Sequence, residues 1–219
     1  MSPNNILKWS ISLDPLAQAS NPFRNTDMIT NLKVIILAAG SSKRFGKQKL
    51  CERLPGGNTV LDETIFRVKQ AVSQVTIMTN SEIFSSLHDQ NDHFQVCPVA
   101  NLGMGATLAY GIKQVQTANA CLVCLADMPF IKPVTYQTLA ESLTTDNIVI
   151  PVFDGKQGNP VGFGKRFFSD LMLLSGDSGG RSLLRLHAAA TQCIEVDDPA
   201  IFYDIDSPED LKKYAHIKS

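Results

Sequence analysis

A chain of 219 residues spans about one and a half domains at roughly 150 residues each, which points to one large domain with an appendage and excludes a long repeat array. With 44% hydrophobic and 19% charged residues it can fill a core, unlike a disordered protein of low hydrophobicity and high charge. The formal charge of −1 leaves no basic footprint for nucleic acid, so any phosphate must be held by a few placed residues.

From Met1 to about Thr30 the chain is rich in Asn, Ser and Pro without sustained periodicity, which predicts a disordered extension over 1–30 ahead of a single domain over 31–219. Met28 is an alternative start. Ala17-Gln18-Ala19 mimics a signal-peptidase site, but only Lys8 is basic before it and Asp14 interrupts a weak apolar region, so no secretion is expected. The apolar runs are far shorter than the ~20 residues that span a bilayer, and no membrane helix is expected. Cys51, Cys97, Cys121, Cys124 and Cys193 are an odd, scattered set rather than a disulfide framework, which places the chain in the cytoplasm. Within them, Cys121 and Cys124 read as buried strand thiols, and His88, His93, His187 and His216 have no metal-ligand spacing.

Beyond the extension, Val34-Ile35-Ile36-Leu37, Val75-Thr76-Ile77-Met78, Cys121-Leu122-Val123-Cys124 and Ile148-Val149-Ile150 read as strands buried on both faces. Leu61, Ile65, Val68 and Val72, and likewise Met104, Leu108, Ile112 and Val115, recur at helical spacing. Pro133 predicts a helix start. Ser207-Pro208-Glu209-Asp210 predicts another, as N-cap, first-turn proline and capping-box acid. Strand and helix alternate, so the expected fold is α/β, three-layered, with a mostly parallel Rossmann-like sheet.

In such a sheet ligands gather at the carboxyl ends of strands. The loop Leu37-Ala38-Ala39-Gly40-Ser41-Ser42-Lys43-Arg44-Phe45-Gly46-Lys47-Gln48-Lys49 follows the first strong strand and carries glycines with cationic side chains. Its amides can cradle phosphate, and Arg44 and Lys49 can add charge-assisted hydrogen bonds. It is not a Walker loop, since five residues separate Gly40 from Gly46 and Gln48 follows Lys47; a bare basic turn is the bland alternative. Gly103-Met104-Gly105 is no Rossmann fingerprint either, because Leu108 replaces the third glycine. After a buried strand comes Asp127-Met128-Pro129, and Asp127 is placed either for Mg²⁺ or for capping a turn. Asp204 and Asp206 are expected between a strand and a helix, sharing a face if that segment is extended.

These residues resemble nucleotidyltransferases of glycosyltransferase-A-like fold, and especially the molybdenum cofactor cytidylyltransferase group of the MobA-like family. The resemblance is carried by Leu37-Ala38-Ala39-Gly40-x-Ser42-x-Arg44-Phe45-Gly46-x-x-Lys49, Asp127-Met128-Pro129, Gly158-Asn159-Pro160-Val161, Gly176-Asp177-x-Gly179-Gly180-Arg181 and Asp204-Ile205-Asp206-Ser207-Pro208-Glu209-Asp210-Leu211, in order over about Lys33 to Leu211. The first and last motifs are shared with many sugar and alcohol nucleotidyltransferases; the Asn-Pro-Val and Gly-Asp-x-Gly-Gly-Arg motifs are narrower.

The resemblance implies that the backbone of Leu37, Ala38, Ala39 and Gly40 faces base and ribose, and that Ser42, Arg44 and Lys49 hold the triphosphate. Gly103, Gly105 and Thr107 would line base and ribose. Asp127 and Asp206 would bind Mg²⁺, with Asp206 preferred over Asp204, and Arg44, Lys49 and Asp127 would form the catalytic set. Asn159 and Pro160 would form the acceptor side, with Asp177, Gly179, Gly180 and Arg181 closing over a pterin phosphate. Ala39, where guanylyltransferases have glycine, favours cytosine over guanine. The implied partners are CTP or another nucleoside triphosphate, a molybdopterin-type acceptor and a recipient molybdoenzyme, without nucleic acid or membrane. Two rivals are transfer to a sugar or alcohol phosphate and a non-catalytic delivery module; paired metal carboxylates argue against the latter.

Overall fold

The computed structural model describes residues 29–40, 48–87 and 93–214. Residues 1–28 of the extension expected over 1–30, Ser42 and Arg44 of the cationic loop, His88 and His216 lie outside the described residues.

Among the described residues eight strands form one sheet: β1 (Leu32–Ala38), β2 (Val75–Thr79), β3 (Phe94–Val96), β4 (Ala120–Leu125), β5 (Ile148–Phe153), β6 (Lys156–Gln157), β7 (Val161–Gly164) and β8 (Thr191–Glu195). The order is β3-β2-β1-β4-β7-β5-β6, with β8 paired to β5. Helices α1 (Val60–Ala71), α2 (Ser81–Ser85), α3 (Met104–Gln114), α4 (Pro133–Ser142), α5 (Phe168–Met172), α6 (Arg181–Leu186) and α7 (Pro208–Tyr214) cover its faces. The sheet is thus α/β, three-layered and mostly parallel, as its alternation of apolar runs and amphipathic segments implies.

Alternation along each strand builds two cores. Val34, Ile36 and Ala38 of β1 face one of them, joined by Leu61, Ile65 and Val68 of α1 and by Tyr136 and Leu139 of α4. Ile35 faces the other, with Leu108 and Ile112 of α3 and Phe168 and Leu171 of α5. Cys121 and Cys124 fall into opposite cores, both buried, which is the consequence of a three-residue step on a strand of period two.

The parallel part, β3-β2-β1-β4, has the register that positions the site. Ala38 pairs with Thr79 and Leu37 with Leu125, so the residues following β1, β2 and β4 leave the sheet at one edge. The remainder departs from a purely parallel reading: β7 runs antiparallel between β4 and β5, while β8 returns parallel to β5. Glycines permit the tight insertion of β7, because a Cβ at Gly162 would stand 2.6 Å from Val149.

Helix starts follow their local chemistry. Thr59 caps α1 by accepting the Asp62 amide, and Pro133 opens α4. Before α7, the Asp210 carboxylate accepts the amide and hydroxyl of Ser207, each at 2.8 Å, and the Asp206 amide at 3.1 Å. The expected strand before Asp204 is instead a 3₁₀ turn, Pro199–Phe202, entered through Pro199 after Asp198 caps it. From there the chain runs with Ile205 buried and Asp204 and Asp206 exposed on either side of it. Met104, placed by periodicity on the apolar face of α3, is 46% exposed because it stands in the first turn, beyond the sheet edge.

Candidate active site

A cleft of about 900 Å³ opens at the carboxyl edge of β1, β2 and β4. Leu37, Ala39 and Gly40 form its floor at the end of β1, and Gly103 and Thr107 face it from the start of α3. Its described charged residues are Lys49, Glu82, Asp127, Asp177 and Asp206.

The charged centre is built from three separate segments. Lys49 opens the 3₁₀ turn Lys49–Cys51 and is anchored by the buried Leu50. Asp127 follows β4 in a turn fixed on two sides: the Thr64 hydroxyl lies 2.9 Å from the Ala126 carbonyl, and the Ile205 amide donates to the Asp127 carbonyl at 2.9 Å. That second bond brings 204–206 alongside Asp127. The Lys49 Nζ then lies 2.7 Å from Asp127 Oδ2 and 2.7 Å from Asp206 Oδ1.

Burial opposes the Lys49 charge, but the Asp127 and Asp206 carboxylates outweigh it and hold the ammonium above its ordinary pKa. Asp204 is pushed up instead, first by desolvation and then by the charges of Asp206 and Asp127. Asp210 is partly desolvated, yet hydrogen bonds from Ser207 and Asp206 keep its carboxyl below the usual range. Among the described residues, this centre sets the carboxylates of Asp127, Asp204 and Asp206 against the ammonium of Lys49.

A divalent ion fits this arrangement. Two carboxylates converge on one position, which the Lys49 ammonium marks, and Asp127 Oδ1 is buried with no hydrogen-bond partner among the described residues. Mg²⁺ typically takes one or two carboxylates and completes its shell with water and substrate phosphate, so a set of three protein ligands is unnecessary. Among the described residues no cluster of three or more His, Cys, Asp or Glu side chains forms a self-sufficient metal site. His187 is instead paired with Asp170 at 2.7 Å and packed against Phe167, and His93 Nδ1 lies 3.2 Å from the Thr76 hydroxyl.

Several residues tied to the nucleotide by resemblance have other surroundings. The Ala38 side chain is buried in the core, and Gly105 does not line the cleft. A Cβ at Gly105 would stand 2.5 Å from the Ser178 carbonyl, and its amide donates to Gly176 O at 2.8 Å. At Gly103, φ is +108° and a Cβ would meet Asp177 and Gly176 at 2.5 Å. These two glycines let the loop 175–180 dock on the first turn of α3. The Thr107 hydroxyl donates to Gly103 O at 3.0 Å, bracing the same turn.

Docking carries Asp177 into the cleft, away from the other residues that the resemblance assigns to the acceptor. Asn159, Pro160, Gly179, Gly180 and Arg181 lie outside its lining. They form a second constellation: Arg181 Nη2 donates to Gly158 O at 3.0 Å, Gly180 packs on Phe163, and Asn159 N donates to Ile201 O at 3.0 Å beside a cis Asn159–Pro160 bond. The 175–181 segment spans the two constellations.

Asn80, Ser81 and Glu82 also line the cleft and were missed by motif reading. Asn80 Oδ1 caps α2 by accepting the Ile83 amide at 2.8 Å, and its Nδ2 donates to Ala39 O at 3.2 Å, tying the end of β1 to β2. Their position directly after a buried strand was the available signal.

The chain matches the MobA-like NTP transferase domain over residues 34–192, a span that holds Lys49 and Asp127 and ends before Asp206. It is 26% identical over 189 residues to purine catabolism protein PucB of Bacillus subtilis (strain 168), covering 80% of this chain and 92% of that protein. Among solved structures, Rv0371c from Mycobacterium tuberculosis H37Rv aligns with a TM-score of 0.75 at 23% identity, over 84% of this chain and 97% of that one. The same protein has been solved in complex with manganese (TM-score 0.70, 21% identity, 84% and 97% covered). A Methanothermobacter nucleotidyl transferase aligns with a TM-score of 0.72 at 20% identity, over 84% of this chain and 96% of that one. No described helix is long and apolar enough to cross a membrane. A family match across most of the chain, with a nucleotidyltransferase fold gathering Lys49 and two carboxylates at the sheet edge, makes this chain a nucleotidyltransferase belonging to the MobA-like NTP transferase family.

Proposed function

We propose that the protein is a Mg²⁺-dependent CTP:molybdopterin cytidylyltransferase. The observation that carries the reading is the convergence of Asp127 and Asp206 on one cationic position in a cleft lined by Leu37, Ala39 and Gly40. A volume of about 900 Å³ suits a nucleoside triphosphate together with the reacting end of an acceptor. Cytosine is favoured by Ala39, and a pterin-phosphate acceptor by the Gly158-Asn159-Pro160-Val161 and Gly176-Asp177-x-Gly179-Gly180-Arg181 motifs.

The terminal phosphate of molybdopterin attacks the α-phosphorus of CTP. A new P–O bond forms, the α–β bridging bond breaks, and pyrophosphate departs with the electron pair, leaving a cytosine dinucleotide. The nucleophile is already ionised at neutral pH, so the residues need not supply a general base. They hold two anions in line and neutralise their charge. Asp127 and Asp206 would hold the Mg²⁺, which when bound supplies Lewis-acid neutralisation at the α-phosphate. Lys49 and, from the sequence, Arg44 neutralise the leaving pyrophosphate, while Asn80 holds the Ala39 carbonyl and so the turn that faces the base. Arg181 braces the Asn159–Pro160 turn on the acceptor side.

Incubation with molybdopterin, Mg²⁺ and either CTP or GTP tests the reading by mass spectrometry. Formation of the cytosine dinucleotide with pyrophosphate is expected; turnover only with a sugar or alcohol phosphate would replace the acceptor assignment.

A further inference from the structure

Lys49 Nζ is shared by Asp127 Oδ2 and Asp206 Oδ1 at 2.7 Å each, so those oxygens are at most about 5.4 Å apart, twice that separation. Carboxylates this close repel unless a cation stands between them. Lys49 is 16% exposed and Asp127 21%, so solvent screens this contact less than a surface pair. The ammonium satisfies Oδ2, and Oδ1 of Asp127 stays buried with no hydrogen-bond partner among the described residues. Its four-carbon stem carries a compact charge that rotamer changes can move without disturbing the backbone anchored by Leu50.

Resting on the metal reading above, we propose that Lys49 is an internal counter-cation that competes with the divalent ion for Asp127 and Asp206. The ammonium holds the carboxylates together in the nucleotide-free protein. Triphosphate binding draws it toward phosphate and opens the pair to the ion, so Lys49's phosphate contact and its carboxylate contact are successive. Metal and nucleotide then bind cooperatively, because each favours the state in which Lys49 has left the carboxylates.

The test is Mn²⁺ binding to the nucleotide-free full chain, read from the electron paramagnetic resonance of free Mn²⁺. Wild type, Lys49→Met, Lys49→Gln and Asp127→Asn are compared at low salt and in about 0.5 M KCl, where long-range charge effects are screened. Circular dichroism establishes folding, and two Lys49 variants keep a folding defect in one from deciding the result. Competition by occupancy predicts Mn²⁺ binding at least about tenfold tighter in the Lys49 variants, a gap retained in high salt, with binding lost in Asp127→Asn. Equal or weaker binding by the Lys49 variants, or a gap that vanishes in high salt, overturns the competition while loss in Asp127→Asn preserves the metal reading. Binding that survives Asp127→Asn, or no binding by any of the four proteins, overturns both.

Discussion

The two halves of the sheet differ in construction and in what they hold. Strands β3-β2-β1-β4 are parallel, and their common register delivers Ala39, Asn80 and Asp127 to one edge. Around β5, an antiparallel β7 and the short β6 replace regular crossovers, and the motifs proposed for the acceptor lie in the β6–β7 turn and in the segment between α5 and α6. The first half builds a site from strand ends, where position follows from hydrogen-bond register. The second builds one from loops that must be held by individual contacts such as Arg181 to Gly158 and Gly105 to Gly176. Substitutions at the strand-end site should therefore abolish chemistry with little loss of fold, whereas those in the loops should loosen acceptor binding or stability.

The largest effect is expected at Asp127. Asp127→Asn should lower turnover at least about 10³-fold while its circular dichroism and melting curve remain close to wild type, since the change keeps volume and removes a charge. Near-normal pyrophosphate release at saturating Mg²⁺ would erase the distinction between the halves. Lys49→Ala comes next, with a loss of about 3 kcal/mol in kcat/KM, the scale of one transition-state charge contact. Unchanged kinetics would place the triphosphate elsewhere.

Gly103→Ala probes the junction of the two regions. The new Cβ would need a φ of +108° and would meet Gly176 and Asp177 at 2.5 Å, so urea unfolding should show a loss of about 1–3 kcal/mol. Arg181→Met should raise the acceptor KM severalfold and leave the CTP KM unchanged, as expected of a brace on the acceptor turn. The smallest effect belongs to Asp210→Ala, which removes the cap on α7 and the acceptor of the Asp206 amide. A stability loss of about 1 kcal/mol should appear in the same unfolding assay, with a modest weakening of Mn²⁺ binding through the freed Asp206.

Legibility followed the same division. β1, β2, β4 and β5 stood out because each is a buried apolar run, and α1 because Leu61, Ile65 and Val68 repeat on one face. β7 did not, because Val161-Gly162-Phe163-Gly164 is short and half glycine, its pairing decided by space beside Val149 and Leu143. β8 was equally opaque: only Cys193 and Ile194 interrupt its polar residues, and it is largely exposed. Of the residues lining the cleft, Leu37, Ala39, Gly40, Lys49, Asp127 and Asp206 were legible through strand-end position and the family resemblance of their motifs. Asn80 was not, since its importance comes from spatial adjacency to Ala39, 41 positions away. Gly105 was assigned to the ligand, yet its lack of a Cβ serves loop docking, which no local pattern reveals.

The central claim, that this edge joins a cytosine nucleotide to a phosphate-bearing pterin, is tested most directly by direct competition. Wild type and Asp127→Asn are each given molybdopterin, Mg²⁺ and equal CTP and GTP, and the products are read by mass spectrometry. The account predicts a cytosine dinucleotide in excess with wild type and none with the variant. A predominant guanine product, no dinucleotide from wild type, or undiminished product from Asp127→Asn would contradict it.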